Sequence, residues 1–369
     1  MLDNITLLTV IFYGSLLLPV SGVFYLTKVK SEKNEHLFLD FFSYAFVTAV
    51  FVLIAFRPVG DFGFTDTAMY IKWFNNSKYH DVLVTKDIGF GILIYLTSKI
   101  FTVRVFFILC TLISFGFLYW ISRIIAQRYW FLFFLGTMVS LYFWNHQVFT
   151  IRQGIASMIF LAALFQKKWT VQILLFILAV SFHKSFLLPL ICYYIVACFQ
   201  NTAVYAVLWL IFIPISYFFG NEIGKDISIL LPEDILYYYS PLQNKGNFLN
   251  FRWDVVLYSG IFIILPYLYR CTDKTYKKVV NLYILINLLT ILMIWSSGTY
   301  IHRFAYLSWF LSPVIAYYPL LHSKKTNIYV PFFRTLLIFY VLIISYIGLK
   351  LYRQDFKLVS GATAARSLN

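Results

Sequence analysis

The sequence predicts an all-α polytopic membrane protein with about twelve transmembrane helices. Hydrophobic residues make up 61% of the 369 positions and charged residues only 12%, where a soluble domain carries about 25% charged residues. Apolar runs of roughly 20 residues, enough for a helix to cross the ~30 Å hydrocarbon core of a bilayer, recur along the whole chain. The runs are continuous rather than alternating, which favours bundled helices over a β-barrel.

The spans fall near 5–27, 37–56, 103–122, 129–149, 150–166, 169–183, 184–200, 201–220, 253–270, 278–295, 301–321 and 328–350. The first follows MLDN rather than a basic segment, so it reads as a retained helix and not a signal peptide. DIGFGILIYLTSKIF (87–101) offers about 14 residues before charge interrupts. As a helix that is about 21 Å, short of the core, and it is predicted to be re-entrant or interfacial. A larger outer loop occupies 221–252. Residues 1–350 make one integral membrane domain, and 351–369 form a polar C-terminal tail.

Charge fixes the expected orientation. The net charge of +15 is spread in short clusters between apolar runs, the pattern of the positive-inside rule and not of a nucleic-acid surface. With the N-terminus outside and 87–101 not crossing, KVKSEK, SRIIAQR, KK (167–168), RCTDKTYKK and SKK (323–325) all face the cytoplasm, and they hold 13 of the 30 Lys and Arg. If 87–101 crosses, the clusters scatter over both sides. With 87–101 not crossing, the outer face collects 57–102, WNHQVFTIRQ (144–153), FHKS (182–185), 221–252 and SSGTYIHR (296–303). Four of the six histidines lie there: His80, His146, His183 and His302.

The chain has no HExxH, P-loop, GxSxG or GxGxxG motif and no histidine pair at ligand spacing, so no metal or nucleotide cofactor is expected. Cys110, Cys192, Cys198 and Cys271 have neither zinc nor disulfide spacing and read as small packing residues. What remains is charge at the outer helix ends. Arg57, Arg152 and Arg303 are each either a snorkelling anchor or part of a converging set that holds a phosphate. His183, followed by Lys184 and Ser185, is either a hydrogen-bonded boundary histidine or a general base. Asp66 is either the cap of a short helix at TAMYIKWF or a catalytic carboxylate. Asp61, Asp81 and Asp87 read as residues that solvate the loop. Tyr238, with Glu233 and Asp234 nearby, suits either an interfacial aromatic belt or a sugar ring.

At these residues the chain resembles the EpsG-like family of Wzy-type polysaccharide polymerases. RPVGDFGFTDTAMY resembles the family's Arg…Gly-Thr-Asp-Thr…Tyr signature, although DFGF separates Gly60 from Thr65. KDIGFGIL resembles its acidic–Gly–Phe element. TIRQGIASMIFLAALFQKKW followed by FILAVSFHKSFLLPL resembles its Arg-Gln-x-Ile-Ala helix, basic turn and His-x-Ser. HRFAYLSWFLSPVIAYY resembles its late Arg-x-x-Tyr helix. The order and approximate spacing match over 1–350.

The resemblance implies a metal-independent glycosyltransferase in a bacterial inner membrane. It would join oligosaccharide repeat units carried on undecaprenyl pyrophosphate at the outer, periplasmic face, with membrane lipids around it and a chain-length regulator as a partner. A pyrophosphate is already a good leaving group. The enzyme therefore needs positive charge for it and an acceptor for the incoming hydroxyl's proton, rather than a glycosidase acid. Arg152 and Arg303, then Arg57, would hold the pyrophosphate, and His183 or Asp66 would take the proton. Tyr70, Gln153, Ser185, Tyr306 and Tyr238 are the expected substrate contacts. Three other readings compete: a lipid-linked oligosaccharide flippase, a metal-dependent transferase using polyprenyl-phosphate sugars, and an O-antigen ligase. A transporter would place ionisable groups near the bilayer midplane, whereas here they stand at helix ends, with Asp40 and Arg334 the nearest exceptions. No acyl-transfer motif is present.

Overall fold

The structure, a computed structural model, describes residues 36–57, 65–80, 85–230, 251–292, 294 and 301–322. The expected spans near 5–27 and 328–350, most of the 221–252 loop and the C-terminal tail lie outside these residues. Among the described residues the regular structure is entirely helical: α1 (His36–Ala55), α2 (Thr65–His80), α3 (Ile88–Ile100), α4 (Val103–Ala126), α5 (Trp130–Met138), α6 (Leu141–Trp144), α7 (Ile151–Leu164), α8 (Trp169–Phe182), α9 (Leu187–Cys198), α10 (Thr202–Leu230), α11 (Trp253–Tyr269), α12 (Lys274–Leu292), α13 (Ile301–Trp309) and α14 (Ser312–Leu321). Among them, four stretches are long and apolar enough to cross a membrane: Val103–Met138, Thr202–Gly220, Lys274–Leu292 and Arg303–Leu321. The protein is a polytopic membrane protein.

The first of these stretches is a hairpin. Gln127 adopts φ 43°, a backbone that ends α4 and reverses the chain. The Tyr119 and Trp130 rings then meet edge-on at 5.0 Å, and Phe115 meets Phe134 at 5.7 Å, so α5 runs antiparallel to α4. The expected arms near 103–122 and 129–149 are therefore separate. The second arm is interrupted, since a π-helical turn at Asn145–Phe149 precedes α7. Gly154 allows that turn, because a Cβ there would lie 2.4 Å from the His146 carbonyl oxygen. π turns of this kind concentrate at functional sites.

The expectation that 87–101 is re-entrant or interfacial rested on its length and on loop charge. Helix α3 has 13 residues, yet α7 and α8 have 14 each and α9 has 12. Length therefore does not set 87–101 apart from the helices that build the core. Helix α3 packs on α2, α4 and α8. Contacts between Tyr70 and Phe90 and between Lys78 and Lys99 make α2 and α3 run parallel, which returns Asp87 to the end of the bundle where α2 begins.

The basic turns gather at the opposite end. Tyr318 stacks with Phe165, Tyr276 and His322, while Lys278 sits over the Tyr193 ring and Tyr193 bonds to Gln172. The turns at 167–168, 270–274 and 322 thus share one end of the molecule, as loop charge required.

Several buried hydroxyls are satisfied inside their own helices: Thr97, Thr111, Ser122 and Thr137 each donate to the carbonyl four residues earlier. A helix has no other cheap partner for them in an apolar bundle. A polar network also crosses between helices. The Asn287 amide nitrogen donates to Ser259 and Ser308, its oxygen accepts from Trp209, and Trp309 also donates to Ser259. The network ties α10, α11, α12 and α13 together, and α13 carries Arg303 near its start.

Candidate functional site

The site lies where α2, α3, α7 and α13 begin and α8 ends. Five separate chain segments therefore contribute one or two polar side chains each, the arrangement that short helices with charged ends produce.

Its centre is Asp87, a correction to the expectation that this residue solvates a loop. Only 3% of its side chain is exposed. Oδ2 accepts from Arg152 Nη1 and lies 3.3 Å from His183 Nδ1, while Oδ1 accepts the Lys184 backbone N–H at 3.0 Å. A carboxylate stays ionised when buried only if such donors surround it. Burial pushes the Asp87 pKa up, but His183, the Lys184 amide and Arg152 outweigh it and leave the group at about 2. Burial pushes His183 below its ordinary value, with Asp87 opposing and Arg152 and Arg303 reinforcing the shift. At neutral pH the pair is therefore a carboxylate and a neutral imidazole.

Arg152, the second residue of α7, is pinned on a second side. Its guanidinium lies 4.8 Å from the Trp73 ring and 5.9 Å from the Tyr70 ring, stacking that suits a planar cation. Its Nε is buried without a hydrogen-bond partner. Tyr70 is fully buried between Arg152, Trp73 and Phe90.

Arg303 is the more open cation, 44% exposed, with Nη2 at 3.3 Å from Asp66 Oδ1. Its backbone carbonyl accepts the Gln153 amide at 3.3 Å, which couples the starts of α7 and α13. Tyr306, one turn further along α13, is buried edge-on to His146 at 4.9 Å. Ser185 Oγ is buried with no hydrogen-bond partner, next to the Lys184 amide that holds Asp87.

Arg57 is held at the end of its own helix, within electrostatic range of Tyr70. It is 3% exposed, its Nη1 donates to Ile54 of its own helix end, and its guanidinium covers the Phe107 ring at 4.9 Å. Its Nε and Nη2 have no hydrogen-bond partner. Asp61, Asp81 and Tyr238 lie outside the described residues. Among the described residues, no three His, Cys, Asp or Glu side chains form a metal-ligand group.

Six expected residues thus converge: Asp66, Tyr70, Arg152, Gln153, His183 and Arg303. Two were not anticipated. Asp87 had a signal in the acidic–Gly–Phe element, but its spacing from His183 gave no hint of contact. Trp73 lies three residues after Tyr70, the helical spacing that puts both rings on one face.

The family model of the EpsG family matches residues 40–356. No curated protein and no solved structure matches the chain.

Proposed function

The chain belongs to the EpsG family, membrane proteins of polysaccharide biosynthesis, and from that premise we propose that it is a polysaccharide polymerase. It joins undecaprenyl-pyrophosphate-linked oligosaccharide repeat units by inverting glycosyl transfer at the periplasmic face of a bacterial inner membrane. The observation that carries the proposal is the meeting of two arginines, two aspartates and a neutral histidine at one end of an apolar bundle.

The division of labour follows from exposure and charge. Arg303, the more exposed cation, meets the donor pyrophosphate, and Arg152 supplies a second, fixed positive charge beside it. Charge held in place before the reaction stabilises a departing dianion without reorganisation. His183 or Asp66 takes the acceptor proton. Gln153 and Ser185 supply buried polar groups beside the charged cluster, and Tyr70 and Tyr306 pack against Arg152 and the π turn. Undecaprenyl chains lie along apolar helix faces. Arg57 and Tyr238 remain further candidates for the pyrophosphate and for a sugar, and a chain-length regulator is the expected protein partner.

The test is made in cells that depend on this chain. Arg152→Ala, Arg303→Ala and Asp66→Ala should abolish long polysaccharide while single-unit products persist. Normal expression with wild-type chain lengths in all three would overturn the proposal. A lipid-linked unit trapped inside would point to a flippase, and long lipid-linked chains never passed on would point to a ligase.

A further inference from the structure

We propose that Asp87 is a positioning residue for the transfer reaction: it holds His183 in the tautomer whose Nε2 accepts the acceptor proton, while Asp66 serves Arg303. The inference rests on the polymerase reading and resolves which of His183 and Asp66 is the base.

Asp87 stands at the residue before α3, where an aspartate ordinarily caps its own helix. It makes no side-chain cap there. Its carboxylate turns instead to α7 and α8, reaching residues 65, 96 and 97 positions away. A capping role therefore does not account for it. An ionised carboxylate only accepts hydrogen bonds, so the His183 nitrogen facing it must carry the proton. The neutral ring then presents Nε2 as a lone pair, and the side chain keeps 23% exposure. Carboxylates commonly fix a histidine tautomer in this way.

The surrounding charges fit the role. Arg152 and Arg303 act on His183 from α7 and α13, Lys184 follows it in the chain, and His146 lies within electrostatic range from the π turn. These groups favour a neutral ring at rest. Once the ring gains a proton, Asp87 is the carboxylate in contact that balances it. Asp66 has Oδ1 engaged by Arg303 and orients that guanidinium.

The step balances as a displacement. The acceptor hydroxyl oxygen forms a bond to the donor's anomeric carbon, and its proton passes to Nε2. The bond from that carbon to the pyrophosphate oxygen breaks, and its electron pair leaves with the pyrophosphate. The imidazolium then returns its proton to water.

Asp87→Asn separates this role from a structural one, because the amide can donate as well as accept and releases the other tautomer. Two readouts apply, using full-length protein in nanodiscs. In chain extension with lipid-linked repeat units, kcat should fall by about 10²- to 10⁴-fold with KM for the donor within about threefold. The acidic limb of the rate profile should move to lower pH, since a carboxylate that favoured the imidazolium has been removed. Asp87→Glu should recover part of the rate. In ¹⁵N-histidine NMR, with His183 assigned by His183→Gln, the wild type should show Nδ1–H, and Asp87→Asn should show a mixture.

The inference fails if Asp87→Asn keeps the wild-type kcat, if its loss lies in KM, or if the His183 tautomer is unchanged. The NMR result stands whether or not the protein polymerises anything. A wild-type protein with the Nδ1–H tautomer but no extension of any lipid-linked unit would overturn the polymerase reading and leave the Asp87–His183 relation intact.

Discussion

His183 Nδ1 stands 3.3 Å from Asp87 Oδ2, joining the end of one helix to the start of another 96 positions earlier in the chain. The same carboxylate oxygen receives Arg152. One buried aspartate therefore sets both the orientation of a neutral imidazole and the position of a cation. A proton acceptor and a positive charge placed together are what a transfer with a pyrophosphate leaving group requires.

The pH dependence follows from the direction of the His183 shift. Burial lowers its pKa below the ordinary 6.5, so the ring is already neutral at pH 7. Asp87, at about 2, is ionised throughout the working range. The rate of chain extension should therefore be flat through neutrality and fall only below pH 6.5. A rate that rises steeply between pH 7 and 8 would contradict the assignment of His183 as base.

The stability dependence has the same sign. A buried neutral histidine and a depressed aspartate both bind fewer protons folded than unfolded. Their contributions are present above the unfolded values of 6.5 and 3.8 and are lost as pH falls through the lower folded values. Thermal unfolding in detergent should show the melting temperature falling from pH 7 to pH 4 and falling further in Asp87→Asn, where His183 has lost the carboxylate that favours its protonated form.

Arg152→Lys should not restore function. A lysine ammonium has no planar face to stack on Trp73 while reaching Asp87. Chain extension should drop by about 10²-fold, the cost of losing one preorganised charged donor. Trp73→Leu should cost less, about 3- to 10-fold, in keeping with one cation–π contact. Steady-state rates with lipid-linked substrate measure both.

Asp66 and Arg303 should behave as one unit. The pair is half open to solvent, so its direct contribution to stability is at most about 1 kcal/mol. If Asp66 acts through Arg303, the double variant Asp66→Asn/Arg303→Ala should lose no more activity than Arg303→Ala alone. Additive losses in a double-mutant cycle would give Asp66 a separate chemical role.

Asn287 should matter for folding rather than for chemistry. Asn287→Ala leaves Trp209 without its acceptor and removes a donor shared by Ser259 and Ser308. A loss of about 1–3 kcal/mol is expected, read from unfolding in detergent. Activity at low temperature should survive, because Arg303 lies at the far end of α13.

The helical class, many helix positions and the charged helix ends could be read from the sequence because each has a local signal. Hydrophobic run length marks a helix, and loop charge sorts its ends. The basic turns near 167 and 270 indeed share one end of the bundle. Run length alone does not separate 87–101 from α7 and α8, which are equally short. Arg152, Arg303, His183 and Asp66 were found as residues of one end. Asp87 was not, since its three partners lie 65 to 97 positions away and no spacing encodes such contacts. Nor could the sequence show that Tyr70 is buried against Arg152 and not open to a sugar.

The most direct measurement is chain extension by the purified protein in liposomes supplied only with undecaprenyl-pyrophosphate-linked repeat units. The wild type should convert single units into a ladder of lipid-linked chains and release undecaprenyl pyrophosphate in proportion to the bonds formed. Arg152→Ala, Arg303→Ala and Asp66→Ala, incorporated in equal amounts, should leave single units. Ladders of wild-type length from all three variants, or no extension by the wild type, would contradict a polymerase site at the Asp87–His183 end of the bundle.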